Sequence, residues 1–195
     1  MKLLTRRSAR FVAQTLGAIA LAAGLAACGI GHKVSHPTTA DGEQIYVDAG
    51  PVTYQVQITR ALNPYGTEDR QYLAGLAPAQ LVLAPDQLWF GVFVWAKNQT
   101  NSTVQTSDSF TISDSGGTTY YPLAPSPAVN PYTWTSQTLR PGATEPTPAT
   151  TAYYGPTQGG LLLFKLNDSV YSNRPLTLNI YAAGRSKPST VTLDL

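Results

Sequence analysis

Cysteine is nearly absent from this chain: Cys28 is the only one in 195 residues. No internal disulfide can form, so a folded domain must be held by an apolar core. Histidine is almost as scarce. His32 and His36 stand together near the N-terminus, and the segment from residue 51 onward has none. A Ser-His-Asp or Cys-His constellation needs an imidazole beside its nucleophile, so both are excluded from that segment. Met1 is the only methionine. With His and Cys also missing, the soft ligands of zinc and copper sites are gone, and neither a metal nor a cofactor is expected. His32 and His36 themselves read as solvated linker residues. Charge is thin as well, at 12% of the chain, so Thr, Ser, Pro, Gly and Tyr supply most of the polarity. The formal charge of +2 includes Lys2, Arg6, Arg7 and Arg10. After residue 27 nine basic residues face eleven acidic ones, a charge of −2. No basic field for nucleic acid remains, and no polybasic patch for anionic lipid. A long unbroken apolar run is also lacking, because Gln14 and Thr15 interrupt residues 11–24, which excludes a convincing membrane-spanning helix there.

What the N-terminus does have is an ordered series of signals. Residues 1–10 are basic, residues 11–24 are small and apolar, and Leu25, Ala26 and Ala27 precede Cys28. A charged region, a short apolar region and a small-residue cleavage site in that order make a signal peptide over residues 1–27. The Leu-Ala-Ala-Cys box resembles the bacterial lipobox. That resemblance implies cleavage before Cys28 and a diacylglyceryl thioether on its sulfur, and two or more acyl chains on one residue give stable anchoring. Arg6-Arg7 suits export of a folded chain, whereas Ser8-Ala9 lacks the usual apolar pair, so both export routes stay open. Residues 28–50 show little periodicity and read as a lipidated Cys followed by a flexible tether.

From Pro51 the pattern changes to period two. Val52, Tyr54, Val56 and Ile58 alternate with polar residues, which predicts a strand with those four on one face. Residues 60–80 form a long connection, with a short helical turn over 69–76. Residues 88–97 are apolar on both faces, and that marks a central strand covered on each side. Leu88, Phe90, Val92 and Val94 alternate there with Trp89, Phe93 and Trp95. Asp114-Ser115-Gly116-Gly117 between two apolar stretches is a hairpin signal. Short strands follow at 137–139, 160–166, 175–182 and 191–193, interrupted by Pro-rich loops at 124–135 and 143–159. Asn-Pro-Tyr occurs at 63–65 and again at 130–132, without any wider duplication. With seven or eight short strands and no amphipathic helix, residues 51–195 predict an all-β domain, an immunoglobulin-like antiparallel sandwich.

The same residues resemble a family of bacterial surface lipoproteins with a telokin-like, immunoglobulin-like domain of unknown function. The resemblance is carried by the apolar strand 88–96 running into Lys97-Asn98, Asp108-Ser109-Phe110 with Asp114-Ser115-Gly116 and Tyr120, Leu139 with Pro141-Gly142, and Gly160 to Phe164. It covers residues 52–182. The insert at 60–85 and the loop at 143–159 resemble features of an actinobacterial subgroup. The family implies a fold and a place on the cell membrane, on its extracytoplasmic face; it supplies no catalytic residues.

Carboxylates are the remaining chemistry. Glu68-Asp69 are adjacent and Asp86 precedes a strand, but a glycosidase needs two acids set across a cleft and no spacing here demands that. Asp108 and Asp114 fit turn positions, and with Asn98 they lack the dense acidic loop of a calcium site. The tripeptides at 98–100 and 101–103 match a glycosylation acceptor in form only. More distinctive are Tyr65, Tyr72, Tyr132, Trp134, Tyr153 and Tyr154, which sit in or beside the Pro-rich loops. Such rings either form a binding surface, being rigid and amphipathic, or pack beneath their own loops and stiffen them. The reading is a non-enzymatic binding or interaction module, displayed in the cell envelope with an envelope protein or a glycan as partner. The alternatives are a carboxylate-based envelope hydrolase using Glu68 or Asp86, and a structural spacer whose loop aromatics are all buried.

Overall fold

Alternating burial is the first physical requirement of a sheet with one wet face; over 52–56 Val52, Tyr54 and Val56 are buried and Gln55 is half-buried, but Thr53 is buried too and donates to Asp48 Oδ1 at 2.7 Å. The structure, a computed structural model, describes residues 33–195. Twelve strands lie among the described residues, and seven of them have four residues or more. The seven are β2 (Tyr46–Ala49), β3 (Val52–Leu62), β4 (Gln87–Asn98), β6 (Ser109–Ser113), β10 (Gly160–Asn167), β11 (Leu176–Tyr181) and β12 (Ser189–Leu193). The two-residue strands are β1 (Thr39–Ala40), β5 (Val104–Gln105), β7 (Thr119–Tyr120), β8 (Thr138–Leu139) and β9 (Thr144–Glu145). One sheet runs β1-β12-β11-β6-β7. The second runs β2-β3-β4-β10, with β9 also pairing with β4, and β5 and β8 make a small separate pair. All pairings are antiparallel except β1 with β12. The protein is an all-β sandwich, and its long strands divide four and three as in a constant-type immunoglobulin domain.

Two apolar clusters explain why β4 is hydrophobic on both faces. Phe90, Val92, Val94 and Ala96 point between the sheets, where they meet Phe110, Ile112, Leu178 and Val191. Trp89 and Phe93 point outward into a second cluster with Leu62, Tyr72, Leu76, Tyr132, Leu161 and Leu163. That outer layer is built by helix α1 (Thr67–Leu73), by a short helix α2 (Thr151–Tyr154) and by the Pro-rich segment 124–135. The long connections therefore act as a lid on the second sheet. Full burial of each large apolar side chain contributes about 1.5–3 kcal/mol, so the lid adds a core of its own.

Three expectations are corrected. The 28–50 segment is not a free tether throughout: β1 and β2 belong to the two sheets, and Val47 and Ala49 are in the main core. Within 33–36, the N–H of His36 donates to Asp48 Oδ2 at 3.0 Å and Lys33 pairs with the same carboxylate at 3.1 Å. Asp48 is buried, and burial raises its pKa, but hydrogen bonds from His36, Thr53 and Lys33 outweigh that and hold it below the ordinary value. The second correction is Ile58. A register shift between Val56 and Ile58 puts one extra residue, Gln57, into β3. A one-residue slip reverses the faces, so Ile58 is 42% exposed while Thr59 is buried. Thirdly, the loop 143–159 contains β9 and α2. Leu25, Ala26, Ala27, Cys28 and His32 lie outside the described residues.

Candidate ligand-binding groove

The outer face of the second sheet is covered by the lid only in part. Where the cover ends, register places Tyr46 opposite Gln55 and Gln55 opposite Trp95, in one row across β2, β3 and β4. Tyr46 is 41% exposed, and its ring centroid lies 6.4 Å from that of Trp95 at a tilt of 58°. The bulge adds Gln57 to the same face. Bulges commonly re-aim a side chain at a functional surface, and here Gln57 Nε2 donates to Gln55 Oε1 at 2.6 Å while Gln55 Nε2 donates to the Gln44 carbonyl at 2.6 Å. The far wall comes from the α2 loop, which supplies Tyr153, Gln158 and Pro146 to a groove of about 290 Å³. The loop is held down at two points. Ala152 is buried in the outer cluster, and Gly159 lies directly on β4. At Gly159 φ is +122°, and a Cβ would fall 2.9 Å from the backbone of Phe93 and Val94, so only glycine permits that approach.

Of the six aromatics singled out from the sequence, Tyr153 alone lines this groove. Tyr154 stacks edge-on against it at 4.8 Å and is 70% exposed, and Tyr65 is 91% exposed on the α1 side. Tyr72, Tyr132 and Trp134 are not surface groups: all three are buried. Tyr72 meets Phe93 at 5.0 Å and Tyr132 at 4.9 Å, and Trp134 packs on Phe110 at 5.5 Å. Long loops need an apolar anchor, and these three rings provide it. Asn130 completes the join, donating from Nδ2 to the carbonyls of Tyr72 and Ala74 at 2.9 and 3.1 Å. The two Asn-Pro-Tyr motifs share one turn, in which the Tyr N–H donates to the Asn side chain two residues back.

Sequence reasoning missed Tyr46, Gln55, Gln57, Trp95 and Gln158. Gln55, Gln57 and Trp95 were legible as the polar or second faces of β3 and β4, whereas Tyr46 lies on β2 in the stretch read as a tether; only the register shows that they coincide. Glu145 was missed too. It is buried on β9, accepts a hydrogen bond from Thr106 Oγ1 at 2.8 Å, and burial pushes its pKa up to about 7. Glu145 borders a smaller cavity of about 210 Å³ with Tyr132 and Trp134. Glu68 and Asp86 are exposed, on α1 and in the turn before β4. Asp69 is committed to Arg60 and to the Asn63 N–H. Asp114 closes its hairpin by accepting from the Thr118 N–H at 2.8 Å, and the Asn98 side chain is used within its own turn and by Leu139.

No protein-family model matches the chain, and no curated protein matches it. Several solved structures are similar to it. The yjhA protein of Bacillus subtilis is 14% identical, with 79% of this chain and 99% of that chain covered and a TM-score of 0.47. An uncharacterized β-sandwich protein of Clostridium difficile 630 is 12% identical, with 84% and 99% covered and a TM-score of 0.42. The ycdA protein of Bacillus subtilis, provisionally described as a lipoprotein, is 16% identical with a TM-score of 0.45; 77% of this chain is covered, but only 38% of that one. Likeness at this level says nothing of activity.

Proposed function

We propose that this protein is a lipid-anchored binding module of a bacterial cell envelope, which holds its partner without chemical turnover. The observation that carries the binding role is the groove. Three half-open rings, Tyr46, Trp95 and Tyr153, converge there with the amides of Gln55, Gln57 and Gln158, and no carboxylate, imidazole or amine is among its lining residues. Rigid amphipathic rings beside adaptable polar groups are what recognition surfaces use. A pure spacer is disfavoured by Tyr65 and Tyr154, which remain on the surface. The hydrolase reading is disfavoured by the exposure of Glu68 and Asp86 on separate elements.

The anchor rests on the Leu25-Ala26-Ala27-Cys28 box. Among the described residues no helix is long and apolar enough to cross a membrane. Four residues separate Cys28 from Lys33, a reach over five steps of at most ~18 Å. A lipid on Cys28 would therefore hold the sandwich close to the bilayer, with Asp48 gripping the chain just beyond. Growing cells with an alkyne fatty acid tests this directly. The wild-type chain should take up label and stay with membranes, and Cys28→Ala should do neither; an unlabelled wild-type protein would end the proposal of an anchor. For the binding role, the Cys28→Ala chain is immobilised and exposed to envelope extract. A component retained by that chain and lost when Trp95→Ala is added supports the reading, and equal retention by both contradicts it.

A further inference from the structure

We infer that the groove takes a neutral oligosaccharide, laid across Trp95 and Tyr153 and hydrogen-bonded by Gln55, Gln57 and Gln158. The inference rests on the reading of this protein as a binding module and gives its ligand a chemical class.

Charge comes first. The lining residues are Tyr46, Gln55, Gln57, Trp95, Pro146, Tyr153, Gln158 and Gly159. None of them is an Asp, Glu, Lys, Arg or His, so nothing in the lining compensates a sulfate, phosphate, carboxylate or ammonium group that loses its water there. The occupant is therefore neutral. Hydrogen bonding narrows it further. A carboxamide offers an acceptor oxygen and two donor hydrogens on one end, and a sugar hydroxyl is both donor and acceptor. Three carboxamides in one groove match a ligand dense in such groups. Among the described residues, Gln158 makes no side-chain hydrogen bond, and Gln57 uses only its Nε2, leaving its oxygen for a ligand.

The rings supply the other half of the match. The C–H face of a pyranose carries slightly positive hydrogens, and an aromatic face carries the negative side of its quadrupole. Trp95, Tyr46 and Tyr153 line the groove beside the amides, so a sugar ring has aromatic surface to pack on while its hydroxyls reach the carboxamides. The tilt of 58° between Tyr46 and Trp95 suits successive units turned relative to one another. A volume of about 290 Å³ lies at the small end of ligand pockets and fits a short stretch of an oligosaccharide.

A peptide is the main rival, and two features count against it. Peptides that add to a sheet need a free strand edge. On the floor of the groove, β4 is paired along both sides, with β3 on one and with β10 and β9 on the other, and β3 is paired with β2 over Val52–Gln55. Proline-rich peptides use slots between aromatic side chains, whereas here the Gln55 amide lies between Tyr46 and Trp95 in the register.

The test is calorimetric titration of the Cys28→Ala chain with maltohexaose, cellohexaose, xylohexaose, arabinohexaose and chitohexaose, beside sulfated and uronic-acid chains and a proline-rich peptide. At least one neutral hexasaccharide should bind with Kd between micromolar and millimolar. Trp95→Ala and Tyr153→Ala should each weaken it by about tenfold or more, a loss of about 1.4 kcal/mol, while Trp95→Phe keeps most of the affinity. Tyr65→Ala, far from the groove, should bind as wild type, and far-ultraviolet circular dichroism should show every variant folded. Binding of only the charged chains or only the peptide would overturn the inference. So would an envelope protein captured by the wild-type groove and lost in Trp95→Ala with no sugar bound, which would leave the binding-module reading intact. Loss of both sugar binding and Trp95-dependent capture would overturn the two together.

Discussion

Two buried polar side chains, Tyr72 in the outer cluster and Glu145 on β9, show how differently a hydroxyl and a carboxyl behave out of water. The Tyr72 hydroxyl is buried and has no partner among the described residues. Removing an unsatisfied buried group is neutral or stabilising, so Tyr72→Phe should leave the urea midpoint unchanged or raise stability by up to about 1 kcal/mol; a loss of stability would mean that the hydroxyl has a partner. Glu145 is a titrating group. Its pKa rises from 4.5 to about 7 because it is buried, with hydrogen bonds from Thr106 and its neighbours only partly offsetting that. Below pH 4.5 it is protonated in folded and unfolded chains alike. Between pH 4.5 and about 7 the folded protein keeps a proton that the unfolded chain has released. Stability therefore falls as pH rises through that window, by about 1.4 kcal/mol per unit. Denaturant titrations from pH 5 to pH 7.5 should show this slope in the wild type and a much flatter one in Glu145→Gln. Asp48 acts in the opposite sense: its folded pKa is lowered, so the stability it adds is present above 3.8 and is lost as the pH falls below. None of this was visible from residue identity, because Glu145 sits in a Pro-rich stretch that gives no sign of burial.

Elements were far more legible than their junctions. The two-faced apolar run of β4 announced a strand covered on each side, and the alternation of Phe90, Val92 and Val94 against Trp89 and Phe93 matches the two clusters they enter. The hairpin around Asp114 was readable because its turn chemistry is local. Tyr46 and Val47 escaped notice as strand residues because β2 is short and lies in a stretch rich in small and polar residues. The bulge at Gln57 is likewise silent in sequence, since period two is unbroken there and only pairing with β4 reveals the slip. Loop aromatics divided between packing and exposure according to what lay beneath them. Tyr132 found Phe93 and Tyr72 under the lid, and Tyr65, in the same turn motif, found solvent. The lid depends on Asn130, whose amide joins the 124–135 segment to α1. Asn130→Ala leaves the buried Tyr72 carbonyl, the half-buried Ala74 carbonyl and the Tyr132 N–H without that partner, at about 2–4 kcal/mol. Its effect should show as lost protection of the 124–135 amides in hydrogen exchange while β11 and β12 stay protected; uniform loss across the sandwich would contradict a separate lid.

At the scale of the whole molecule, no imidazole follows His36 in the chain, and among the described residues the sandwich holds Lys33 and His36 on the Asp48 carboxylate. The fold class could be read from strand number and turn spacing. The groove could not, because it depends on three strands and a loop over 100 residues apart arriving at one surface. Export and anchoring predict that Cys28→Ser releases the protein to the medium in folded form; retention in the membrane fraction would point to a different tether. The claim on which everything turns is that the face holding Tyr46, Trp95 and Tyr153 meets a partner in the envelope. The direct measurement is photo-crosslinking on intact cells, with a benzophenone side chain placed at Gln57 in the groove or at Gly117 in the hairpin turn. The account predicts a discrete covalent adduct from position 57 that is absent from position 117 and is lost when Trp95→Ala is added. No adduct from position 57, or the same adduct from both positions, would contradict it.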